Sequence, residues 1–141
     1  MTDLLDVNVW LALADENHVH HSAAQNYWLE SSAPVIAFCR VTMLGFLRLS
    51  THPKVLSQPL SRQGSWNIYN QYLATEGIEF FDEFRGVDQV FQRITCQPNF
   101  SQRRWADAYL AAHALSSGSR IVSFDSDFTT FEGLDFLRLQ G

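Results

Sequence analysis

The chain has few of the residues that build disulfides, zinc sites or lysine-rich surfaces. Of its 141 residues 2 are cysteine, and Lys54 is the sole lysine among 10 basic residues, so the others are arginine. Cys39 and Cys96 form no CxxC pair and lie in apolar surroundings, which predicts buried thiols rather than a disulfide or a zinc site. Arginine suits two-pronged contacts with phosphate or carboxylate groups.

Long apolar runs are missing as well. Polar residues interrupt each apolar stretch well before the roughly 20 residues that a membrane helix needs, and no basic region precedes the first apolar run. We therefore expect a soluble, cytoplasmic protein without a membrane segment. A length of 141 residues with 46% hydrophobic content predicts one globular domain, residues 1–141.

A positive net charge is absent too. The formal charge of -5 disfavours a protein that binds nucleic acid by bulk electrostatics, because such domains usually carry a basic face. It does not exclude a nuclease. Carboxylates gathered around divalent cations lower the net charge while the metals meet the phosphates.

Short apolar strands alternate with helices along the whole chain. This alternation predicts an α/β fold, a three-layer α/β/α domain with a mostly parallel central sheet of about five strands and right-handed crossovers. The predicted strands are 4–6, 35–38, 78–81, 120–123 and 134–137, and the predicted helices are 9–14, 18–30, 42–51 with Thr42 as N-cap, 61–73, 87–95 and 103–115.

Acidic residues occur in three separate motifs: Asp6 in LLDVN, Asp107 in WADAYLAAHAL, and Asp125 with Asp127 in SFDSDF. Asp6 ends one predicted strand and Asp125 follows another, so both belong at the carboxyl edge of a parallel sheet, where such folds bind ligands. Asp107 lies in the first turn of a crossover helix, which begins at the same edge. A carboxylate beside a core is costly unless it is paired or holds a cation, so the motifs predict a metal site.

Each acid also has a purely structural alternative. Asp107 would complement the positive end of its helix dipole, Asp125 would cap the turn after its strand, and Asp6 would cap the helix that follows it. A shared site explains all three together, whereas three separate caps would meet at one edge only by coincidence.

The order D-x-N-x-x-L-A-L, D-A-x-L-A-A-H-A and S-F-D-S-D-F resembles PIN-domain proteins, specifically VapC-type toxin ribonucleases, over essentially the whole chain. The resemblance implies an endoribonuclease that uses Mg²⁺ or Mn²⁺ and a metal-activated water to hydrolyse RNA phosphodiester bonds. It also implies a cognate antitoxin and a homodimer. It assigns Asp6, Asp107 and Asp125 as catalytic residues and adds Asp127 as a fourth metal ligand.

Neighbouring polar residues suit supporting roles in such a site. Asn8 and Ser123 would orient the carboxylates or hold waters. Thr42 would do the same from its helix start, although a cap is a sufficient role for it. Arg104 shares a helix face with Asp107 and would either hold a phosphate or neutralise the acids.

The segment CRVTMLGFLRLS resembles the second motif of the family, which carries a Thr and then a Glu. Here Met43, Leu44 and Gly45 follow Thr42, so the expected acid is absent. This departure keeps two alternatives open: a PIN-like module that has lost catalysis and binds RNA or a protein, or a phosphohydrolase of small molecules on a similar scaffold.

Histidines and aromatic residues are assigned to the framework. His18 and His21 would share one side of a helix, but nothing completes a zinc set, so a solvated helix start is predicted. His113 lies about 240° around its helix from Asp107 and is interpreted as structural. Several aromatic side chains are expected to serve the core and partner contacts: Phe46, Trp66, Tyr69, Tyr72, Trp105 and Phe128.

Overall fold

Five parallel strands form one sheet, in the order β3-β2-β1-β4-β5, in a computed structural model that describes all 141 residues. Two 3₁₀ helices, Gln102–Arg104 and Ser126–Thr130, accompany the main elements. The strands are β1 (Thr2–Leu5), β2 (Val35–Phe38), β3 (Ile78–Phe80), β4 (Arg120–Ser123) and β5 (Phe136–Arg138). The helices are α1 (Val7–Ala14), α2 (His21–Glu30), α3 (Arg40–Ser50), α4 (Arg62–Leu73), α5 (Val87–Thr95) and α6 (Trp105–Ser117).

The sheet has a hydrophobic core on each face, because alternate residues of a strand point to opposite sides. On one side, Trp10 of α1 stacks flat on Phe38 of β2, with ring centroids 3.8 Å apart. Tyr72 of α4 packs against Trp10, with ring centroids 4.8 Å apart. On the other side, Leu4 and Ile121 pack with α6. Helices therefore cover both faces, and the predicted three-layer architecture is confirmed.

The α6 helix approaches the sheet through a row of small side chains. Ala108, Ala111 and Ala114 are fully buried, and Leu110 is also part of the core beneath the helix. Alanine side chains occupy little of the space between helix and strand, which allows the helix to pack closely on the sheet. This close approach places the first turn of α6, which holds Asp107, beside the carboxyl end of the central strands.

A buried ion pair joins the strands at their other end. Asp3 of β1 is fully buried, and its two oxygens accept hydrogen bonds from Arg120 Nε and Nη2 at 2.8 and 2.9 Å. Tyr27 Oη donates to the same carboxylate at 2.6 Å, and the Ala33 backbone N–H donates at 3.0 Å. The carboxylate thus links β1, β4, α2 and the chain before β2.

Several local predictions were wrong. The α2 helix begins at His21, so His18 lies ahead of it and accepts a hydrogen bond from the His20 backbone N–H instead of sharing a helix face with His21. Cys39, and not Thr42, is the N-cap of α3. Thr42 lies at the third helical position, where its hydroxyl accepts from the Cys39 N–H at 2.9 Å and closes a capping box.

Smaller corrections concern surface segments. Cys39 is buried as predicted, but Cys96 is exposed because it follows the last turn of α5. The α6 helix begins two residues later than predicted, after a 3₁₀ turn, and runs to Ser117, where Gly118 ends it with a positive φ of 68°. No helix combines the length and the apolar character that crossing a membrane requires.

Candidate active site

Asp6 joins the ends of β1 and β4. Its backbone N–H donates to the Val122 carbonyl at 2.9 Å, which extends the β1–β4 pairing by one residue. Its Oδ1 accepts from the Val7 N–H at 2.8 Å, and its Oδ2 accepts from Ser123 Oγ at 2.7 Å. Asp6 is therefore the N-cap of α1, as the structural alternative expected, and it also faces the end of β4.

Ser123 is the centre of a hydrogen-bond network at this edge. Besides donating to Asp6, its buried hydroxyl accepts from Asn8 Nδ2 at 3.1 Å and from the Asp125 N–H at 3.0 Å. Asn8 Oδ1 also accepts a longer bond of 3.4 Å from the Phe124 N–H. These contacts suit the orienting roles predicted for Asn8 and Ser123, because they hold the first acid against the turn that carries the third.

Asp125 and Asp127 lie on the turn after β4. Asp125 Oδ1 accepts from the Asp127 N–H at 2.8 Å and caps the 3₁₀ helix Ser126–Thr130, so its capping alternative is also correct. Burial raises the pKa of Asp6, and the charge of Asp125 raises it further against the lowering effect of the hydrogen bonds from Ser123 and Val7. The first and third acidic motifs are therefore electrostatically coupled.

Asp107 completes the acidic edge from the first turn of α6. Burial, followed by the charges of Asp6 and Asp125, raises its pKa to about 6, and Arg104 offsets only part of this rise. The three motifs predicted to meet at one edge are thus close enough to repel one another. Asp127 contributes a smaller repulsion.

The side chains do not form a closed metal cage as they are positioned. No three His, Cys, Asp or Glu side chains lie close enough together to hold an ion. The acids can still raise one another's pKa at this separation, because charges act over longer distances than the metal–oxygen bonds of about 2.0–2.6 Å. The metal ligand set therefore stays a prediction.

Arg104 is held by the turn that carries Asp127. Its Nη1 donates to Thr130 Oγ1 at 2.7 Å and its Nη2 donates to the Asp127 carbonyl at 2.6 Å, while its Cζ lies 4.7 Å from the centre of the Phe131 ring. Its Nε is 3.8 Å from Asp107 Oδ2. Most of the guanidinium is therefore engaged within the protein, and Arg104 connects α6 to the 3₁₀ helix.

Thr42 makes no contact with the acids. It is 1% exposed, and its hydroxyl bonds to the backbone and the sulfur of Cys39. The local capping role accounts for these hydrogen bonds of its side chain.

Two positions of the second motif, Gly45 and Met43, are closely packed. A Cβ on Gly45 would lie 2.6 Å from Val7 Cγ2, so the glycine permits α3 to approach the residue after Asp6. Met43 is 7% exposed, and its Sδ accepts a hydrogen bond from Arg40 Nη1 at 3.2 Å. Neither position offers an open place for a glutamate side chain in this packing.

We expect Gly45→Ala to lower the free energy of unfolding by about 1–3 kcal/mol, because the added methyl group overpacks the contact with Val7. Urea denaturation measures the change. In a Val7→Ala background the same substitution should cost clearly less, and Leu44→Ala, at a side chain that is 54% exposed, is the control. Equal losses in both backgrounds would contradict the proposed contact.

Some neighbours of the site carried no signal in the sequence. His20 stacks on Phe124, with ring centroids 4.6 Å apart, and thereby supports the turn before Asp125.

His113 is fully buried between Phe84 and Tyr109, and burial lowers its pKa, in agreement with a structural role. Of the aromatic residues assigned to core or partner contacts, Phe46, Tyr69 and Phe128 are buried, Tyr72 is half-buried, and Trp66 and Trp105 are exposed.

The geometry defines an open parallel α/β domain with a carboxylate site at the ends of β1 and β4. The sequence profile of the PIN domain matches residues 4–134. The chain therefore belongs to the PIN domain family.

Relatives in Mycobacterium tuberculosis support the VapC type. Ribonuclease VapC41 is 39% identical, with 96% of this chain and 97% of that protein covered. Ribonuclease VapC38 is 32% identical, with 90% and 87% covered. The resemblance noted in the sequence is confirmed.

Solved structures agree on the fold. The VapBC2 complex of Rickettsia felis bound to a promoter DNA fragment superposes with a TM-score of 0.72 at 12% identity, covering 99% of this chain and 100% of that one. VapC20 of Mycobacterium tuberculosis, a Sarcin-Ricin loop cleaving toxin, gives 0.71 at 15% identity, with 96% and 98% covered.

Proposed function

We propose that this protein is a divalent-metal-dependent endoribonuclease that acts as the toxin of a toxin–antitoxin pair. The observation that carries the proposal is the placement of Asp6, Asp107 and Asp125 at the carboxyl edge of the sheet, where Ser123 joins Asp6 to the turn of Asp125 and Arg104 joins that turn to Asp107. The relatives support the reaction class, since proteins that share 39% and 32% of their aligned residues with this chain are ribonucleases.

The acidic edge has the chemistry that a hard divalent cation requires. Its donors are carboxylate oxygens, which Mg²⁺ and Mn²⁺ prefer. Burial, followed by the charges of Asp6 and Asp125, raises the pKa of Asp107 to about 6, and Arg104 offsets only part of this rise while its Nη atoms bind the turn after β4. Asp6, Asp107, Asp125 and Asp127 would hold the ion. When bound, such a cation polarises a phosphate oxygen and makes a water molecule a better nucleophile.

The residues of the chain would then position the reacting groups. Ser123 fixes one oxygen of Asp6 and, through the Asp125 N–H, the start of the turn that carries Asp125 and Asp127. Arg104 ties that turn to α6 and so sets the spacing between Asp107 and the acids after β4. These contacts would keep the acids of three elements at the same edge of the sheet before substrate arrives.

The proposal includes an antitoxin protein as a partner. Structural neighbours include VapBC complexes from Rickettsia felis and Salmonella typhimurium, both bound to DNA. A homodimer and an RNA substrate follow from the family resemblance, and the exposed Trp66 and Trp105 are candidate contact residues for a second chain.

The test is RNA cleavage by the purified chain with Mg²⁺ or Mn²⁺, with and without EDTA. We expect cleavage that requires the metal and that Asp125→Asn slows by about a hundredfold, the effect of losing roughly 3 kcal/mol of transition-state stabilisation. Asp88→Asn, at an exposed position of α5, is the matched control.

Two results would contradict this function. Cleavage that persists in EDTA would show that the reaction does not require a metal ion. RNA binding by the wild-type chain without any cleavage would favour the alternative of a binding module, which the missing acid at Met43 and Gly45 keeps open.

A further inference from the structure

We propose that a cleft beside the acidic edge binds one unpaired nucleotide of the RNA substrate, next to the bond that is cut. This inference rests on the proposed function and names a subsite for its substrate. The cleft has a volume of about 440 Å³ and lies between the end of α5, the segment after it and the end of the 3₁₀ helix Ser126–Thr130. Its main lining residues are Arg93, Gln97, Asn99, Phe100, Arg104 and Phe131.

The cleft begins one side chain away from the aspartates. Arg104 lines it and at the same time lies 3.8 Å from Asp107 Oδ2 and donates to the Asp127 carbonyl. A phosphate at the acidic edge and its neighbouring nucleotide in the cleft would thus lie on either side of Arg104. The volume falls within the roughly 300–1,000 Å³ typical of small-ligand sites.

The walls supply planar groups on which a base can stack. The guanidinium of Arg104 lies over the Phe131 ring, 4.7 Å from its centre. Phe100 is held edge-to-face against Trp105, with ring centroids 5.2 Å apart. Proteins that bind unpaired RNA use aromatic rings and arginine planes in this way, because every base has a face to stack.

The rim supplies polar and charged groups for the rest of a nucleotide. Gln97 Nε2 donates to the Arg93 carbonyl, which leaves its side-chain oxygen to accept from a base. Asn99 is exposed and presents the oxygen and the NH₂ group of its side-chain amide. Arg93 is exposed and forms no salt bridge, so it is available to a phosphate.

The charge of this region differs from that of the whole protein. Arg93, Arg103 and Arg104 lie within one short segment of a chain whose net charge is -5. Glu132 lies on the cleft as well, so a phosphate would bind on the side of Arg93. Most lining residues are polar or charged, which favours a nucleotide over the apolar face of a peptide helix.

The experiment measures binding of a short fluorescent single-stranded RNA to the non-cleaving Asp6→Asn protein at several salt concentrations. Arg93→Gln combined with Asn99→Ala should raise Kd by about tenfold, and the slope of log Kd against log salt should fall by about 0.7, the value for one lost phosphate contact. The matched control is Arg62→Gln with Asn70→Ala, two exposed positions of α4 on the other face of the sheet. Its Kd should stay within about twofold of the parent.

Crosslinking locates the nucleotide directly. RNA that carries 4-thiouridine should attach to Phe100 or Phe131, and the attachment should disappear in the cleft variant. An unchanged Kd and salt slope in the cleft variant, with RNA cleavage intact in the wild-type chain, would overturn the cleft but not the proposed function.

Two other outcomes also decide the question. A wild-type chain that neither binds nor cleaves RNA would overturn the proposed function and the cleft together. Cleft variants that bind RNA normally but lose a purified antitoxin would assign the cleft to a protein partner instead.

Discussion

Asp6→Asn is expected to slow metal-dependent RNA cleavage by about a thousandfold, the largest effect on activity that we predict. The substitution removes the negative charge from the acid that joins β1 to β4, where its carboxylate is coupled to Asp107 and Asp125. It should leave the fold intact, because asparagine caps a helix about as well as aspartate. Ser123 Oγ lies 3.4 Å from Asn8 Oδ1, which provides another acceptor for its proton.

Two measurements on the same samples separate the capping role from the catalytic one. Cleavage rates should fall, while the free energy of unfolding in urea should change by less than about 1 kcal/mol. Asp82→Asn, at an exposed position, is the control for both assays. A variant that is well folded and fully active would exclude Asp6 from the reaction, and a variant that unfolds would show that its cap outweighs its charge.

Asp3→Ala should lower the free energy of unfolding by about 3–5 kcal/mol, the largest stability effect that we predict. It leaves the Arg120 guanidinium, the Tyr27 hydroxyl and the Ala33 N–H without the acceptor they share. Losses of this size are a large part of the roughly 5–15 kcal/mol that stabilises a typical domain. Urea denaturation, with Asp82→Ala as the exposed control, measures the change.

A double variant tests whether the loss comes from an unpaired charge. Asp3→Leu with Arg120→Met replaces both charges by apolar groups, and it should cost much less than the sum of the single substitutions. Additive losses would contradict the ion pair. Asp3 lies near the start of β1, whereas Asp6 follows its end. Cleavage per folded molecule should therefore not change in any of these variants.

Element types were predictable because strand and helix patterns depend on neighbouring residues. The bounds of β2, α5 and β4 agree with the prediction, since each segment is a short run with turn signals at both ends. The start of α3 was wrong because the hydroxyl of Thr42 suits either a cap or a position inside a capping box. The start of α2 was wrong because histidine has no strong preference at a helix start.

The site was predictable only where strand direction decides the outcome. A parallel sheet places the residues after β1 and β4 at one edge, and the pairing of β1 with β4 brings Asp6 and Asp125 together. The hydrogen bond between Asn8 and Ser123 joins residues that are 115 positions apart, and no local pattern reports it. Arg104 illustrates the same limit, since its spacing from Asp107 allowed a phosphate contact while its actual partners lie on the turn after β4.

The sequence by itself determined the fold class and the edge of the sheet at which the acids lie, because both depend on element order and on the direction of parallel strands. Its motifs also determined the VapC-type family. Tertiary structure alone decided how each side chain is used. Gly45 meets Val7 where an acid was expected, Asp3 is buried with Arg120, and Cys96 is exposed. These outcomes depend on which distant groups share a few ångströms of space, and packing between elements sets that distance.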